Sequence, residues 1–284
     1  MWRRLRFVRS WLLLGLGVIA ACAGPSPVGD SNDALLKAAI ASPLRRESNR
    51  ARDGARHPYE TLRAFGVRPD QTVVEIAPGG GWYAEILAPY LREQGHYVAA
   101  LYVDGGKTSA ETEEKLSEAR ARFTAKFARD PDRYGHIAVG TLRGDGLSDV
   151  GAPGTADAVL TFRNIHNWIA DGSFDAALRA FYGVLKPGGV LGVEEHRAVP
   201  GTPLERVITI GYVPEAYVIE HARRAGFELG SRSEANANPR DTKDHPNGVW
   251  SLPPTLRGGA VDRERFVATG ESDRMTLTFV KPRR

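Results

Sequence analysis

The feature that most constrains the fold is a glycine-rich loop between an apolar run and a helix. Residues 72–77 (TVVEIA) have the composition of a buried strand, and Pro78-Gly79-Gly80-Gly81 follows them directly. A helix is predicted next, over residues 83–91. Glycine lets the backbone approach a ligand closely, and the first turn of a helix offers unpaired N–H groups. This order of elements predicts a ligand-binding strand–turn–helix unit.

Strand and helix signals alternate along the rest of the chain. Helices are predicted over 33–41, 83–91, 109–128, 174–185 and 214–225, and strands over 72–77, 97–103, 136–139, 157–162, 190–194, 227–233 and 275–280. Alternation with short connections predicts an α/β fold, in which a Rossmann-like, seven-stranded, mostly parallel sheet carries helices on both faces. Ligands of such sheets bind beyond the carboxyl ends of the strands.

The charge of the chain argues against a nucleic-acid partner. The formal net charge is +4, with 38 basic and 34 acidic residues among 284. Residues 1–21 hold four arginines and no acidic residue, so the remainder has 34 basic and 34 acidic residues. Such a neutral body offers no basic stripe that could follow a phosphate backbone. No nucleic acid is expected as a partner.

The N-terminus has the pattern of an export signal. Its arginines precede a short apolar run, 11–21, and the only cysteine of the chain, Cys22. A basic segment, a short apolar segment and small residues form a secretory signal. Ile19-Ala20-Ala21-Cys22 resembles the bacterial lipobox, whose cysteine becomes acylated; the alternative is a plain cleaved signal. Acylation would give membrane contact through Cys22.

This pattern sets the expected organisation and address of the protein. Residues 1–21 are predicted to be a signal peptide, residues 22–32 a flexible tether, and residues 33–284 a single domain. The protein is expected at the periplasmic face of a bacterial membrane, as a lipoprotein. Ala23, rather than an aspartate, follows the cysteine, which favours the outer membrane over the inner one.

The glycine loop alone leaves the ligand open. The segment Gly79-x-Gly81-x-x-Ala84 satisfies a dinucleotide fingerprint, and Asp104 stands about where a ribose-binding acid would fall. A tight turn without any ligand is a further alternative.

Three further features favour one family. Glu75 ends the first strand just before the glycines, Gly144-Asp145 precedes the strand 157–162, and Leu185-Lys186-Pro187-Gly188-Gly189 leads into the next strand. The order of these motifs resembles the class I S-adenosylmethionine-dependent methyltransferase fold. The resemblance implies S-adenosylmethionine as cofactor.

The same resemblance implies which residues hold that cofactor. Those at or after the strand ends would bind its amino-acid end, its ribose and its adenine: Glu75, Ala77, Gly79, Gly81, Asp104, Asp145 and Asn164. Two positions depart from the pattern. Ala77 replaces the usual first glycine, and Asp104 falls at least two residues later than the expected ribose acid.

Other motifs resemble a family of exported bacterial proteins that are themselves only predicted methyltransferases. They are Arg56-His57-Pro58, Asn164-Ile165-His166-Asn167-Trp168, Glu195-His196-Arg197, residues 236–244 and residues 270–275. This family adds little about the substrate. The implied activity is methyl transfer to a small or envelope-associated acceptor.

Three residues are candidates for the chemistry. His166 follows the strand 157–162, at the mouth where an acceptor would lie, and a neutral imidazole can act as general base near pH 7. Glu195 and His196 end the next strand and could form a second acid–base pair. The alternatives are that His166 packs its helix and that the other two form a surface ion pair with Arg197.

The long polar segment 236–254 is predicted to be a lid over this mouth. A metal site from Asp241, Asp244, His245 and His196 matches no defined ligand spacing, so no metal is predicted. Arg50, Asp53, Arg56 and His57 either close over the same mouth or form a polar helix face.

Two further functions stay open on sequence grounds. One is a ligand-binding protein that keeps the fold without catalysis, because nothing in the sequence explains how a cytoplasmic cofactor would reach an exported enzyme. The other is an NAD-dependent oxidoreductase, which the motifs at 144–145 and 185–189 disfavour.

Overall fold

The computed structural model of the protein describes residues 27–103, 109–144 and 146–283. The predicted signal peptide and Cys22 lie outside the described residues. So do two of the predicted cofactor ligands, Asp104 and Asp145. None of the helices in the described part of the chain is both long and apolar enough to cross a membrane.

A single sheet of eight strands organises the described residues. The strands are β1 Thr72–Ile76, β2 His96–Tyr102, β3 Ala138–Arg143, β4 Gly146–Ser148, β5 Ala156–Phe162, β6 Leu185–His196, β7 Glu228–Ser233 and β8 Arg274–Val280. Their order across the sheet is β4-β3-β2-β1-β5-β6-β8-β7. The β3, β2, β1, β5 and β6 strands run parallel, and β4 and β8 pair antiparallel with their neighbours. The predicted mostly parallel α/β sheet is confirmed.

The predicted number of seven strands is wrong. The additional strand is β4, which pairs with β3 at the edge of the sheet. It has only three residues, all of them half-buried. Three such residues produce no apolar run, so the sequence pattern gave no sign of this strand.

The helices are α1 Pro27–Ala41, α2 Glu47–Arg50, α3 Asp53–Arg56, α4 Pro58–Ala64, α5 Ala84–Leu91, α6 Ala110–Ala128, α7 Pro131–Tyr134, α8 Ile165–Ala170, α9 Phe174–Val184, α10 Leu204–Ile210, α11 Glu215–Arg224 and α12 Arg263–Thr269. A 3₁₀ helix covers Gly248–Ser251. The first helix begins at Pro27 and not at residue 33, so residues 27–32 of the predicted tether are helical. Proline suits the first turn of a helix, where its missing N–H has no partner to lose.

Helices cover both faces of the sheet, as predicted. Successive residues of a strand point to opposite faces, and Val73 and Val74 belong to two different apolar cores. The core of Val73 includes residues of α1, α4, α5 and α6. The core of Val74 includes residues of α8, α9, α10 and α11. The carboxyl ends of the parallel strands lie between these two layers.

Candidate active site

A cavity of about 380 Å³ opens at the carboxyl ends of β1 and β5. Four predicted cofactor residues line it: Glu75, Ala77, Gly79 and Asn164. The Asn164 side chain donates hydrogen bonds to the Ile76 carbonyl (3.1 Å) and to Thr161 Oγ1 (3.2 Å), which ties the two strand ends together. A larger groove of about 600 Å³ runs between α1 and α5, away from the strand ends, and none of the predicted site residues that the structure describes lines it.

Gly81 is not among the residues that line this cavity. An added Cβ there would lie 2.7 Å from the ring of Phe127 and 3.2 Å from Phe123, both on α6. Its φ is +77°, in the region that favours glycine. Close packing of the loop on α6 therefore explains this glycine without a ligand.

Two residues at the mouth of the cavity have a strained backbone. Two non-glycine residues that line it, Ala77 (φ +48°) and Arg163 (φ +60°), adopt left-handed conformations. Such a conformation costs an L-residue roughly 1–2 kcal/mol. Hydrogen bonds hold both in place: Ala77 N–H donates to the Ala100 carbonyl (2.9 Å), and Arg163 N–H donates to the Glu194 carbonyl (2.7 Å).

Glu75 is a buried carboxylate without an ion-pair partner among the described residues. The Tyr97 hydroxyl donates to its Oε2 at 2.6 Å. Burial raises the pKa of Glu75 to about 7, although this hydrogen bond acts in the opposite direction. A cationic ligand group beside Glu75 would favour its ionised form.

Four arginines share two carboxylates beside the cavity. We call this set the arginine cluster: Arg52, Arg56, Arg163 and Arg274 with Glu194 and Glu271. Glu271 pairs with Arg52 (2.7 Å), Arg56 (3.4 Å) and Arg274 (2.8 Å). Glu194 pairs with Arg163 (2.5 Å) and Arg274 (3.1 Å). Two positive charges are left unbalanced within the cluster.

The unbalanced positive charge of the arginine cluster affects the pKa of Arg56. Its guanidinium lies 4.7 Å from the ring of Trp82, and both residues line the cavity with Arg52 and Arg163. Burial and the neighbouring Arg163 lower the pKa of Arg56 to about 9, against the opposing effect of Glu271. An anionic ligand would relieve this repulsion. Of the cluster, only Arg56 was a sequence candidate; the others lie far apart in the chain.

The three predicted catalytic residues come together on the other side of the strand ends. We call them the histidine cluster: His166, Glu195 and His196. His166 Nδ1 lies 3.2 Å from Glu195 Oε1, and the two imidazole rings are 5.6 Å apart between centroids. Backbone N–H groups of Ile165 (2.6 Å) and His196 (2.8 Å) donate to the Glu195 carboxylate.

Neither Glu195 nor His196 interacts with Arg197 in the way that the alternative interpretation expects. Arg197 pairs instead with Asp273 (2.9 Å) and Glu234 (2.7 Å). His196 Nδ1 lies 2.6 Å from Ser272 Oγ. Burial first, and then the neighbouring His166 and the arginines Arg163, Arg274 and Arg56, hold the pKa of His196 well below its usual range.

Part of the segment 236–254 packs beside the histidine cluster. The Trp250 ring lies 6.0 Å from that of His166. Asp241 accepts hydrogen bonds from the Tyr212 hydroxyl (2.9 Å) and lies 2.8 Å from His245 Nε2. Asp244 pairs with Thr242 at the surface. Asp241, Asp244, His245 and His196 therefore do not form one group.

Of the four N-terminal candidates, only Arg56 lines the cavity. Arg50 is exposed, and Asp53 pairs with the buried Arg45 at 2.7 Å. The residues that sequence reasoning missed include Arg46, Arg52 and Arg163, which also line the cavity. No motif marks them, because their neighbours in space come from distant parts of the chain.

Comparison with solved structures agrees with this architecture. A SAM-dependent methyltransferase from Aquifex aeolicus is similar over 88% of this chain and 98% of its own, with a TM-score of 0.52 and 15% identity. The [4+2]-cyclase SpnF is similar over 90% of this chain and 96% of its own, with a TM-score of 0.54 and 17% identity. No protein-family model matches the sequence, and no curated protein does either. The fold is that of class I methyltransferases.

Proposed function

We propose that this protein is an S-adenosylmethionine-dependent methyltransferase acting on a small or envelope-associated acceptor. The observation that carries the proposal is the charge pattern of the cavity at the glycine loop. Glu75 stands on one part of its wall and Arg52, Arg56 and Arg163 on another. The amino-acid end of the cofactor carries one ammonium and one carboxylate, so it would meet a partner for each charge. Asp104 and Asp145 stay proposed ligands of the ribose and the adenine.

When bound, S-adenosylmethionine supplies an electrophilic methyl group. The contribution of the protein is then to hold the acceptor in line with that group. Asn164 lines the cavity and His166 follows it by two residues, so the first turn of α8 joins the cavity to the histidine cluster. The acceptor is proposed to lie beside that cluster.

His166 is the proposed general base for an acceptor that must lose a proton. With its Nδ1 protonated and directed at Glu195 Oε1 (3.2 Å), its Nε2 is the nitrogen that accepts. The Glu195 carboxylate orients the imidazole and stabilises the imidazolium once the proton has moved. His196 is the proposed second acid–base group.

Calorimetric titration with S-adenosylmethionine, S-adenosylhomocysteine and NAD tests the cofactor proposal. We expect S-adenosylhomocysteine to bind one per chain and NAD not to bind. A Gly79→Ala variant should bind at least tenfold more weakly, since its methyl group would occupy the cavity. Asp145→Ala should also weaken binding if Asp145 meets the adenine.

Gly154→Ala is the matched control for Gly79→Ala. Both glycines have left-handed φ values, +57° and +72°, and an added Cβ at either would contact nothing within 4 Å. The backbone strain is therefore similar, but Gly154 does not line the cavity. Equal binding by the two variants would contradict the proposed cofactor position.

A second candidate is a protein that keeps this fold without methyl transfer. Ala77 favours it, because its methyl group lies where the family pattern has a glycine. SpnF, which has a similar fold, is a [4+2]-cyclase, and that name refers to a reaction other than methyl transfer. If the protein is a methyltransferase, label from methyl-labelled S-adenosylmethionine should enter an acceptor in a cell-envelope extract. Cofactor binding without such transfer would support the second candidate, and NAD binding alone would support an oxidoreductase.

We also propose that the protein is exported and lipid-anchored through Cys22. The support is the pattern of residues 1–22, with its arginines, short apolar run and lone cysteine. A Cys22→Ser substitution should move the protein from the membrane fraction to the soluble periplasmic fraction. An unchanged distribution would contradict the anchor.

A further inference from the structure

Glu195 differs from the other fully buried glutamate beside it in having no fixed cation. Both Glu194 and Glu195 are 0% exposed. Glu194 is neutralised by Arg163 and Arg274. Among the described residues, the only ion-pair partner of Glu195 is His166, which is charged only when protonated. Burying a carboxylate without a fixed cation is costly, so a cation placed directly beside Glu195 would be stabilised.

The three side chains present the donor atoms of a metal centre. One ligand atom from each of His166, Glu195 and His196 lies within 4.8 Å of the other two. Two ligands that bind one ion at ~2.1 Å are separated by roughly 3.0–3.4 Å in octahedral or tetrahedral geometry. The 3.2 Å between His166 Nδ1 and Glu195 Oε1 falls in that interval. It therefore fits an edge of a coordination polyhedron as well as a hydrogen bond.

The surroundings fix the ligands as outer partners do in metal sites. Ser272 Oγ contacts His196 Nδ1 at 2.6 Å, which leaves Nε2 of that ring available. The Glu195 carboxylate is held by the backbone N–H groups of Ile165 and His196. Such contacts orient ligands and tune their basicity. Trp250 and Tyr212, with rings 6.0 Å from His166 and 6.3 Å from His196, line the space beside them.

We propose that His166, Glu195 and His196 bind one divalent transition-metal ion with the preferences of Zn²⁺ and leave at least one coordination position open. Two imidazoles and one carboxylate suit such an ion better than Mg²⁺ or Ca²⁺, which prefer oxygen ligands. No known metal-ligand spacing in the sequence indicated this site, because His166 lies 29 residues before the adjacent pair Glu195 and His196. Metal binding here does not depend on methyl transfer.

The extension to the acceptor rests on the proposed function. A hydroxyl or thiol bound at the open position would lose its proton more readily, because the ion stabilises the resulting anion. His166 would then act as a ligand, and the proton would leave to solvent or to another base. The proposed acceptor class is therefore a small molecule with a hydroxyl or thiol.

Titration of chelator-treated protein with Zn²⁺, and with Co²⁺ as a spectroscopic probe, tests the site. We expect one ion per chain, and visible Co²⁺ bands of a site with nitrogen and oxygen ligands. His196→Ala and His166→Ala should each weaken binding about a hundredfold or more, and Ser272→Ala about tenfold. Because Glu195→Gln alters a buried group, its far-ultraviolet circular dichroism is recorded beside its titration.

His221→Ala is the control, because His221 pairs with Asp175 but belongs to no three-residue group among the described residues. It should bind Zn²⁺ like the unaltered protein. The proposal fails if no ion binds with a Kd below about 10 µM, or if folded His166→Ala and His196→Ala variants bind as tightly as this control. S-adenosylhomocysteine is titrated separately in the presence of EDTA, so a failure of the cofactor proposal is distinguishable from a failure here.

Discussion

Glu194 and Glu195 are adjacent in sequence and equally buried, yet they lie in opposite chemical settings. Successive strand residues point to opposite faces of a sheet, so β6 directs Glu194 towards the arginines and Glu195 towards the histidines. Burial and the arginines act against each other on Glu194, and Arg163 and Arg274 prevail, so its pKa is lowered. Permanent cations balance Glu194, whereas the one ion-pair partner of Glu195 among the described residues is His166, which is charged only when protonated. Glu194 therefore belongs to a set of permanently charged side chains, whereas Glu195 belongs to the set that carries the proposed chemistry.

The largest expected effect comes from removing the charge of Glu194. Glu194→Gln should lower the free energy of unfolding by about 3–5 kcal/mol, because Arg163 and Arg274 would remain buried without a full counter-charge. Glu195→Gln in metal-free protein should lower it by only about 1–3 kcal/mol, because no arginine loses its counter-charge, although the single amide oxygen can accept from only one of the N–H groups of Ile165 and His196. Urea unfolding at pH 7 measures both. Equal losses from the two substitutions would show that Glu194 and Glu195 do not differ in their dependence on a fixed cation.

Glu75 adds a third case, because it is a buried glutamate on the Glu194 face with no arginine within ion-pair distance among the described residues. Its pKa is raised to about 7, so its contribution to stability is fully present below pH 4.5 and is lost as pH rises through 7. Glu75→Gln should therefore be more stable than the unaltered protein above pH 7, by up to roughly 3 kcal/mol, with the difference vanishing near pH 4.5. Unfolding curves from pH 4.5 to 8 check this. A constant difference across that range would contradict it.

A substitution of Arg56 tests whether the unbalanced positive charge of the arginine cluster contributes to ligand binding. Arg56→Gln removes a repulsion with Arg163 and Arg52, so stability should stay the same or rise by about 1 kcal/mol. Binding of S-adenosylhomocysteine should nevertheless fall at least tenfold. Thermal unfolding and calorimetry measure the two effects, and Arg68→Gln, at an exposed pair with Asp70, is the control. A loss of stability without a loss of binding would make Arg56 a structural residue only.

The smallest expected effect is at Ala77. Ala77→Gly should stabilise the protein by up to about 1 kcal/mol, because glycine adopts its left-handed φ without steric cost. It should also tighten S-adenosylhomocysteine binding, since a methyl group leaves the cavity wall. Unchanged binding would show that the Ala77 methyl group lies outside the ligand's path.

Much of the fold could be predicted because its strands are short runs rich in apolar residues, such as residues 72–77 and 157–162. The three half-buried residues of β4 had no such signal. His166 and Glu195 could be placed near each other because His166 follows β5 and Glu195 lies at the carboxyl end of β6, and these strands are neighbours in the sheet. The arginine cluster could not be predicted, since Arg52, Arg163 and Arg274 come from segments more than 100 residues apart, and only the fold brings them to shared carboxylates.

We propose above that the cavity at the glycine loop binds S-adenosylmethionine on the arginine side of the strand ends. A crystal structure of the protein with S-adenosylhomocysteine would show whether it does. We expect the ligand over Gly79, with its ammonium near Glu75 and its carboxylate near Arg56. Ligand density elsewhere, or an amino-acid end away from both residues, would show that the proposed cofactor position is wrong.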